Sequence, residues 1–268
     1  MTTTPRDAVH ALLDHARLPD GDDERFTGYG VMGMPFAGGH YLALRDMVAT
    51  SIGPAYRAIW YRDPAGRWTV HTTGAFEWSC PRYFGSATAN VRVPAIDVFW
   101  RDDHTLDVTL GDTVNWRIQV GATPATRMMT VMGGALPQAA WNSTAVLTAM
   151  QPMARQVLRS GRVSLFGATP NGPRFRSAPL QVWRVVGGAA SYRGDDLGAP
   201  APLDVQARLG EVWLPQRGIF FIGRARFTPP VEPTDRAADT AGRAADTTGP
   251  AADTAGRAAD TAGATMEL

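Results

Sequence analysis

The chain contains no lysine; all 26 of its basic residues are arginine. Without lysine it cannot form a lysine Schiff base with a carbonyl compound, so pyridoxal-phosphate chemistry of that kind is excluded. The lysine of a phosphate-binding P-loop is missing too, as is the strand lysine of protein kinases. Cysteine is almost absent. Cys80 stands alone, which excludes an intrachain disulfide, a cysteine zinc cluster and a four-cysteine iron–sulfur site. No stretch approaches the ~18 consecutive apolar residues that a membrane-spanning helix needs. The first residues, Met1-Thr2-Thr3-Thr4-Pro5-Arg6-Asp7, lack the apolar core of a signal peptide. A cytoplasmic protein is therefore expected.

Histidine is sparse as well. His10 and His15 fall five apart in one helical stretch, and His40, His71 and His104 lie on separate strands or turns. No pair has metal-ligand spacing, so no metal site is expected, and nothing in the chain calls for a cofactor. Dinucleotide binding is tested by Gly28-Tyr29-Gly30-Val31-Met32-Gly33, which matches G-x-G-x-x-G in form. That chemistry needs a strand before the glycines and a helix after them. The acidic run Asp22-Asp23-Glu24 precedes them, and Pro35, Gly38 and Gly39 follow. The glycines are read instead as tight turning of the backbone at the domain entrance. A serine nucleophile elbow, G-x-S-x-G, does not occur.

What is present divides into three parts. Residues 1–24 hold a short N-terminal helix and an acidic lead-in. Thr4 caps that helix, Pro5 suits its first turn, and Val9, Leu12, Leu13 and Ala16 share one face. Residues 25–230 form the body. Residues 231–268 are a tail whose unit Arg236-Ala237-Ala238-Asp239-Thr240-Ala241-Gly242 recurs three more times, with Thr248 for alanine and Pro250 for arginine as the only changes. A seven-residue period suggests a coiled coil, but no position carries a large apolar side chain and each unit holds a glycine. With nothing to bury, the tail is predicted to be disordered. Seven acids and three arginines lie beyond Pro230, so the tail carries −4 and the rest of the chain +5 against a total of +1. The arginines of the body are scattered, without the run or stripe of a nucleic-acid binder, and no nucleic-acid partner is expected.

The body alternates like β structure. Val114, Trp116, Ile118 and Val120 share one face of a strand, with Asn115, Arg117 and Gln119 on the other. The same period runs through Thr105–Leu110 and Ile96–Trp100. Ala55–Arg62 and Arg67–Thr73 flank the turn Asp63-Pro64-Ala65-Gly66. Further strands are expected at His40–Val48, Arg162–Gly167, Leu180–Val186, Ala189–Arg193 and Ile219–Phe227. A helical insert at about 125–159 separates two β halves and holds Met128, Met129, Met132, Met150 and Met153. Methionine fits irregular apolar space, so the insert reads either as core packing or as a lid. The fold class expected is mainly β: an antiparallel lipocalin-like barrel or a strongly curved sheet, since closure removes exposed edges.

Phe76-Glu77-Trp78-Ser79-Cys80-Pro81-Arg82-Tyr83-Phe84-Gly85 is the densest mixture of aromatic and polar groups. It reads either as an aromatic-packed loop with an Arg–Glu pair or as the mouth of a ligand cavity. Cys80 has no evident activating neighbour there. A second polar patch holds Glu211, Gln216 and Arg217.

Gly28-Tyr29-Gly30-Val31-Met32-Gly33-Met34-Pro35-Phe36, Ser51-Ile52-Gly53-Pro54, Arg62-Asp63-Pro64-Ala65-Gly66-Arg67-Trp68, Cys80-Pro81-Arg82-Tyr83-Phe84-Gly85 and Pro215-Gln216-Arg217-Gly218-Ile219 together resemble an uncharacterised bacterial family without an assigned activity. The resemblance spans about residues 25–227. More distantly, the tryptophan-rich meander around Asp63-Pro64-Ala65-Gly66-Arg67-Trp68 is similar to lipocalin-like domains of the carotenoid 1,2-hydratase type. That similarity implies a barrel and transfers no catalytic residue.

The expected function is binding of an apolar small molecule, isoprenoid- or polyketide-like, inside a barrel. Cofactor-free acid catalysis would fall to Glu77 or Glu211, because protonating an alkene needs a buried carboxylic acid. Tyr83, Arg82, Trp116, Met128, Met132 and Met150 are the expected ligand-binding residues. The alternative is a non-catalytic scaffold that oligomerises through its sheet.

Overall fold

A computed structural model describes residues 3–228, without the side chains of residues 153, 154 and 156–158. The expectation for the tail from Val231 lies outside the described residues.

Alternation builds most of the body. Ten strands make up the main path of one sheet: β1 (Glu24–Val31), β2 (Tyr41–Thr50), β3 (Tyr56–Arg62), β4 (Trp68–Thr72), β5 (Ala89–Arg92), β6 (Asp97–Trp100), β7 (Thr105–Leu110), β8 (Val114–Gly121), β9 (Arg174–Tyr192) and β10 (Ile219–Thr228). Their order across the sheet is β5-β4-β3-β2-β1-β10-β9-β8-β7-β6. In β8 the expected face is buried, with Val114, Trp116, Ile118 and Val120 all at 1% exposure or less, while Asn115, Arg117 and Gln119 face solvent. The β3–β4 hairpin turns at Asp63–Gly66, where the Gly66 amide donates to the Asp63 carbonyl at 2.9 Å. The two strands expected at Leu180–Val186 and Ala189–Arg193 are one 19-residue strand, β9, whose first part pairs with β10 and second part with β8.

Two expectations change. The sheet is mixed, since β4 and β5 run parallel. It is also not a closed barrel: among the described residues, β5 and β6 are its two ends and do not pair with each other.

The sheet nevertheless curls. Tyr61 on β3 stacks on Tyr192 on β9 with ring centroids 3.6 Å apart. Three strands lie between them, a span of roughly 19 Å if the sheet were flat, at about 4.8 Å per step. Trp100 on β6 likewise reaches Phe220 on β10 at 5.7 Å. Side chains that meet across intervening strands lie on the inside of a curve. That concave face is filled by one large cluster, with Trp116, Phe36, Leu42, Leu44, Leu106 and Phe220 fully buried.

The glycines near the start of the body also depart from expectation. Gly28 and Gly30 are not in an entrance turn but in β1, a central strand between β2 and β10. Their role is close approach: a Cβ at Gly28 would fall on the Asp46 carbonyl, and one at Gly30 on the Leu44 carbonyl.

The helices follow the sequence signals. Thr4 caps α1 (Pro5–Asp14) by accepting from the Asp7 amide at 3.1 Å. After the short helix α2 (Pro81–Phe84), the insert contains α3 (Pro124–Ala135), α4 (Gln138–Trp141) and α5 (Thr144–Leu158). Thr123 and Thr126 form a reciprocal cap on α3, and Ser143 caps α5. α3 sits on β9 and β10 through Met129, Val182 and Ile219. Trp141 and Leu147 pack with Val163, Leu165 and Ala178. Among the described residues, no helix is long and apolar enough to cross a membrane.

Candidate functional site

The outer, convex face of the sheet is covered by chain segments rather than by helices alone. Strand parity decides what points there. On β2, Leu42 and Leu44 enter the concave core, so Tyr41, Ala43, Arg45 and Met47 face outward. On β3, Ile59 and Tyr61 point in, while Tyr56, Ala58 and Trp60 point out. Against this face lie α2 and the paired segments Arg208–Leu209 and Val212–Trp213, burying Cys80, Tyr83, Phe84, Leu209 and Leu214.

Sheet and cover do not meet everywhere. Between them lies a partly open pocket of about 100 Å3 whose sheet side includes Phe26, Arg45, Tyr56, Trp60, Phe221 and Ala225. Its cover includes Cys80, Tyr83, Val163, Ser164 and Trp213. Wider depressions beside Arg184 and Arg217, and beside Gln151 and Arg162, are open surface grooves.

Arg45 dominates the electrostatics of this space. Its Nη1 donates to the carbonyls of Val31 (2.7 Å) and Leu44 (2.9 Å), and its Nη2 to that of Met32 (3.1 Å). Its guanidinium carbon lies 4.9 Å from the Trp60 ring centroid and 5.6 Å from that of Phe221. Burial lowers its pKa from the ordinary value, yet an arginine stays charged in proteins. Burial pushes the Cys80 thiol up, against the hydrogen bond of Tyr56 and the charge of Arg45. Cys80 is therefore held as a thiol, and a protonated thiol is a poor nucleophile. Tyr56, 3.5 Å from Cys80 Sγ, is raised well above its usual value, again by burial first. Trp60 Nε1 is buried without a hydrogen-bond partner. Arg224 also lines the cavity, its Nε buried and unpartnered.

Tyr83 anchors the cover. It stacks on Phe227 at 3.7 Å, and its hydroxyl donates to Glu24 at 2.5 Å. Arg82 grips the same carboxylate, with Nε at 3.1 Å from Oε2. Burial would raise the Glu24 carboxyl, but the hydrogen bonds from Arg82 and Tyr83 outweigh it and hold its pKa below the ordinary value. The arginine–glutamate pair thus uses Glu24, from the start of β1; Glu77 offers Arg82 only its backbone carbonyl, at 3.3 Å.

Of the residues singled out from the sequence, Tyr83 lines the cavity. Arg82 lies beside it in the Glu24 pair. Glu77 and Glu211 are exposed and outside the lining. Trp116 is in the concave core. Met128 and Met132 are exposed on α3, and Met150 packs at the edge of the Trp141 cluster. The cover comes from α2 and residues 163–164 and 212–214 rather than from the methionine-rich helices. Arg45, Tyr56 and Trp60 were not singled out, although a lone arginine in Tyr41-Leu42-Ala43-Leu44-Arg45 is a readable oddity: a charge on a strand buried on both faces.

No family model matches the chain, and no curated protein sequence does. Two solved structures are similar in part. One is an acetoacetate decarboxylase from Legionella pneumophila, 9% identical, with a TM-score of 0.38 over 81% of this chain and 88% of that one. The other comes from structural studies of acetoacetate decarboxylase, 10% identical, with a TM-score of 0.35 over 79% of this chain and 91% of that one. Superposition at that level assigns no activity.

Proposed function

We propose that the outer-face cavity binds a compact, largely apolar small molecule. One observation carries this reading: a pocket of about 100 Å3 with aromatic walls, in a body whose concave core is packed with side chains. Apolar walls that face unfilled space lack dispersion partners, and a ligand of fitting shape supplies them. At about 30 Å3 per water in the liquid, the volume is that of roughly three waters. An isoprenoid or polyketide ligand would be a short branched unit of that size, not a long chain. The binding place moves from the barrel interior expected to the opposite face of the sheet. Among the described residues no carboxylate lines it, so binding is the reading, without the acid catalysis expected of Glu77 or Glu211.

Trp60 and Trp213 border the cavity and supply a readout. A panel of branched five- and six-carbon alcohols and amides is expected to change tryptophan fluorescence and to raise the thermal midpoint, by up to about 2.7 kcal/mol of stabilisation at a hundred times the Kd. Ala225→Leu, which puts a larger side chain into the cavity, is expected to abolish both responses while unfolding cooperatively. Absence of any response from the unsubstituted protein at millimolar probe would overturn the proposal.

The scaffold reading has one observation in its favour: Phe99 is 65% exposed on β6, an end strand of the sheet. Native mass spectrometry of protein from its own host separates the two, a retained small molecule supporting the first and a ligand-free oligomer the second.

A further inference from the structure

We propose that the cavity takes a monocarboxylate, its head group held by Arg45 and its apolar body by the aromatic walls. This rests on the cavity being a ligand site, and it names the class of ligand.

The argument is an accounting of one side chain. A guanidinium has five N–H donors. Three of those of Arg45 go to the carbonyls of Val31, Leu44 and Met32. The Nε hydrogen and one Nη2 hydrogen remain. Nε is absent from the sealed, unpartnered atoms of the interior, so it keeps accessible surface. Arg45 is deep among protein atoms yet retains exposure, and it lines the cavity. The surface it keeps therefore opens into that cavity.

Its charge is also unmatched. The next residue, Asp46, is on the opposite side of the strand and pairs with Arg57 at 2.7 Å. Among the described residues, Arg45 joins no ion pair. Backbone carbonyls and the faces of Trp60 and Phe221 offset part of the burial cost without neutralising the charge. A buried cation without its counter-charge is a costly arrangement that a ligand anion relieves. Two free donors match the two oxygens of a carboxylate. A dianion would leave surplus charge in an apolar space, which favours a single negative charge.

The test uses two isosteric probes, 3-methylbutanoate and 3-methylbutanamide, titrated calorimetrically into the full chain at pH 7. The acid is expected to bind at least ten-fold tighter than the amide, about 1.4 kcal/mol. Arg45→Met keeps an apolar stem and removes the charge, a change that buried ion sites often tolerate. It is expected to erase the preference while leaving amide binding in place. Should that variant not unfold cooperatively, Arg45→Lys decides: charge without the fork is expected to reduce the preference without removing it. Equal binding of acid and amide to the unsubstituted protein overturns the proposal and leaves the cavity reading standing. A preference that survives Arg45→Met overturns it also, and points to Arg224. If neither these probes nor the neutral panel binds, the cavity reading itself fails and this inference with it.

Discussion

His71 is 3% exposed on β4, with Nε2 at 3.1 Å from the Tyr192 hydroxyl and Nδ1 buried without a partner. A protonated ring would need an acceptor at both nitrogens, and the structure offers one. Burial, with Arg193 nearby, lowers its pKa below the ordinary 6.5. The unfolded chain therefore binds this proton at a higher pH than the folded chain does. Stability from His71 is full above 6.5 and is lost as pH falls from there through the folded value. Urea unfolding between pH 8 and 5 is expected to show stability declining on the acid side. His71→Gln, which keeps a polar partner for Tyr192 but does not titrate, is expected to flatten that decline. An unchanged pH profile in the variant would show that other groups cause it. Residue types alone did not reveal this pairing: His71 and Tyr192 are far apart in the chain, and only the curl of the sheet joins them. Arg45 was more legible, because strand parity puts it among Tyr41, Ala43 and Met47 whatever the tertiary fold. Glu24 was hidden, since an acid in the run Asp22-Asp23-Glu24 looks like a solvated lead-in until Arg82 and Tyr83 reach it.

At the scale of elements, period-2 patterning located most strands to within a residue or two, and the Thr4 cap located α1. β1 escaped because glycine carries no hydrophobic pattern. Its glycines are there to admit neighbouring backbone, a demand set by β2 and invisible in local sequence. Gly28→Ala is accordingly expected to destabilise strongly, by about 2–4 kcal/mol, because the obstacle is the Asp46 carbonyl and not a side chain that can swing away. Gly134 in α3 has nothing within 4 Å of the place an added methyl would take, and no left-handed backbone. Gly134→Ala is expected to stabilise by about 0.5 kcal/mol through helix propensity. Chemical denaturation of the two variants checks both signs. Similar effects from both would refute the close-approach account of β1.

At the scale of the molecule, alternation tells which residues share a face but not which face is the inside of a curve, nor whether the end strands meet. A closed barrel and an open curled sheet share the same strand pattern. They differ here in a pairing between β5 and β6 that the described strands lack, and in where a ligand can go. The curl packs the concave side, so the remaining space is where loops rest on the convex side. Charge divides at the same scale. Residues 1–230 carry +5 and residues 231–268 carry −4, and the repeat has no large apolar side chain to bury in a core. Removing residues 231–268 is therefore expected to leave the thermal midpoint within about 2 °C, less than roughly 1 kcal/mol for a body of this size. Acid-over-amide preference in the cavity should persist, because Arg45 and its carbonyl partners all precede the deletion. The truncated protein should bind a cation exchanger more tightly than the full chain. A fall in midpoint beyond about 4 °C would mean that the acidic repeats stabilise the basic body, and scanning the deletion one seven-residue unit at a time would then locate the contact.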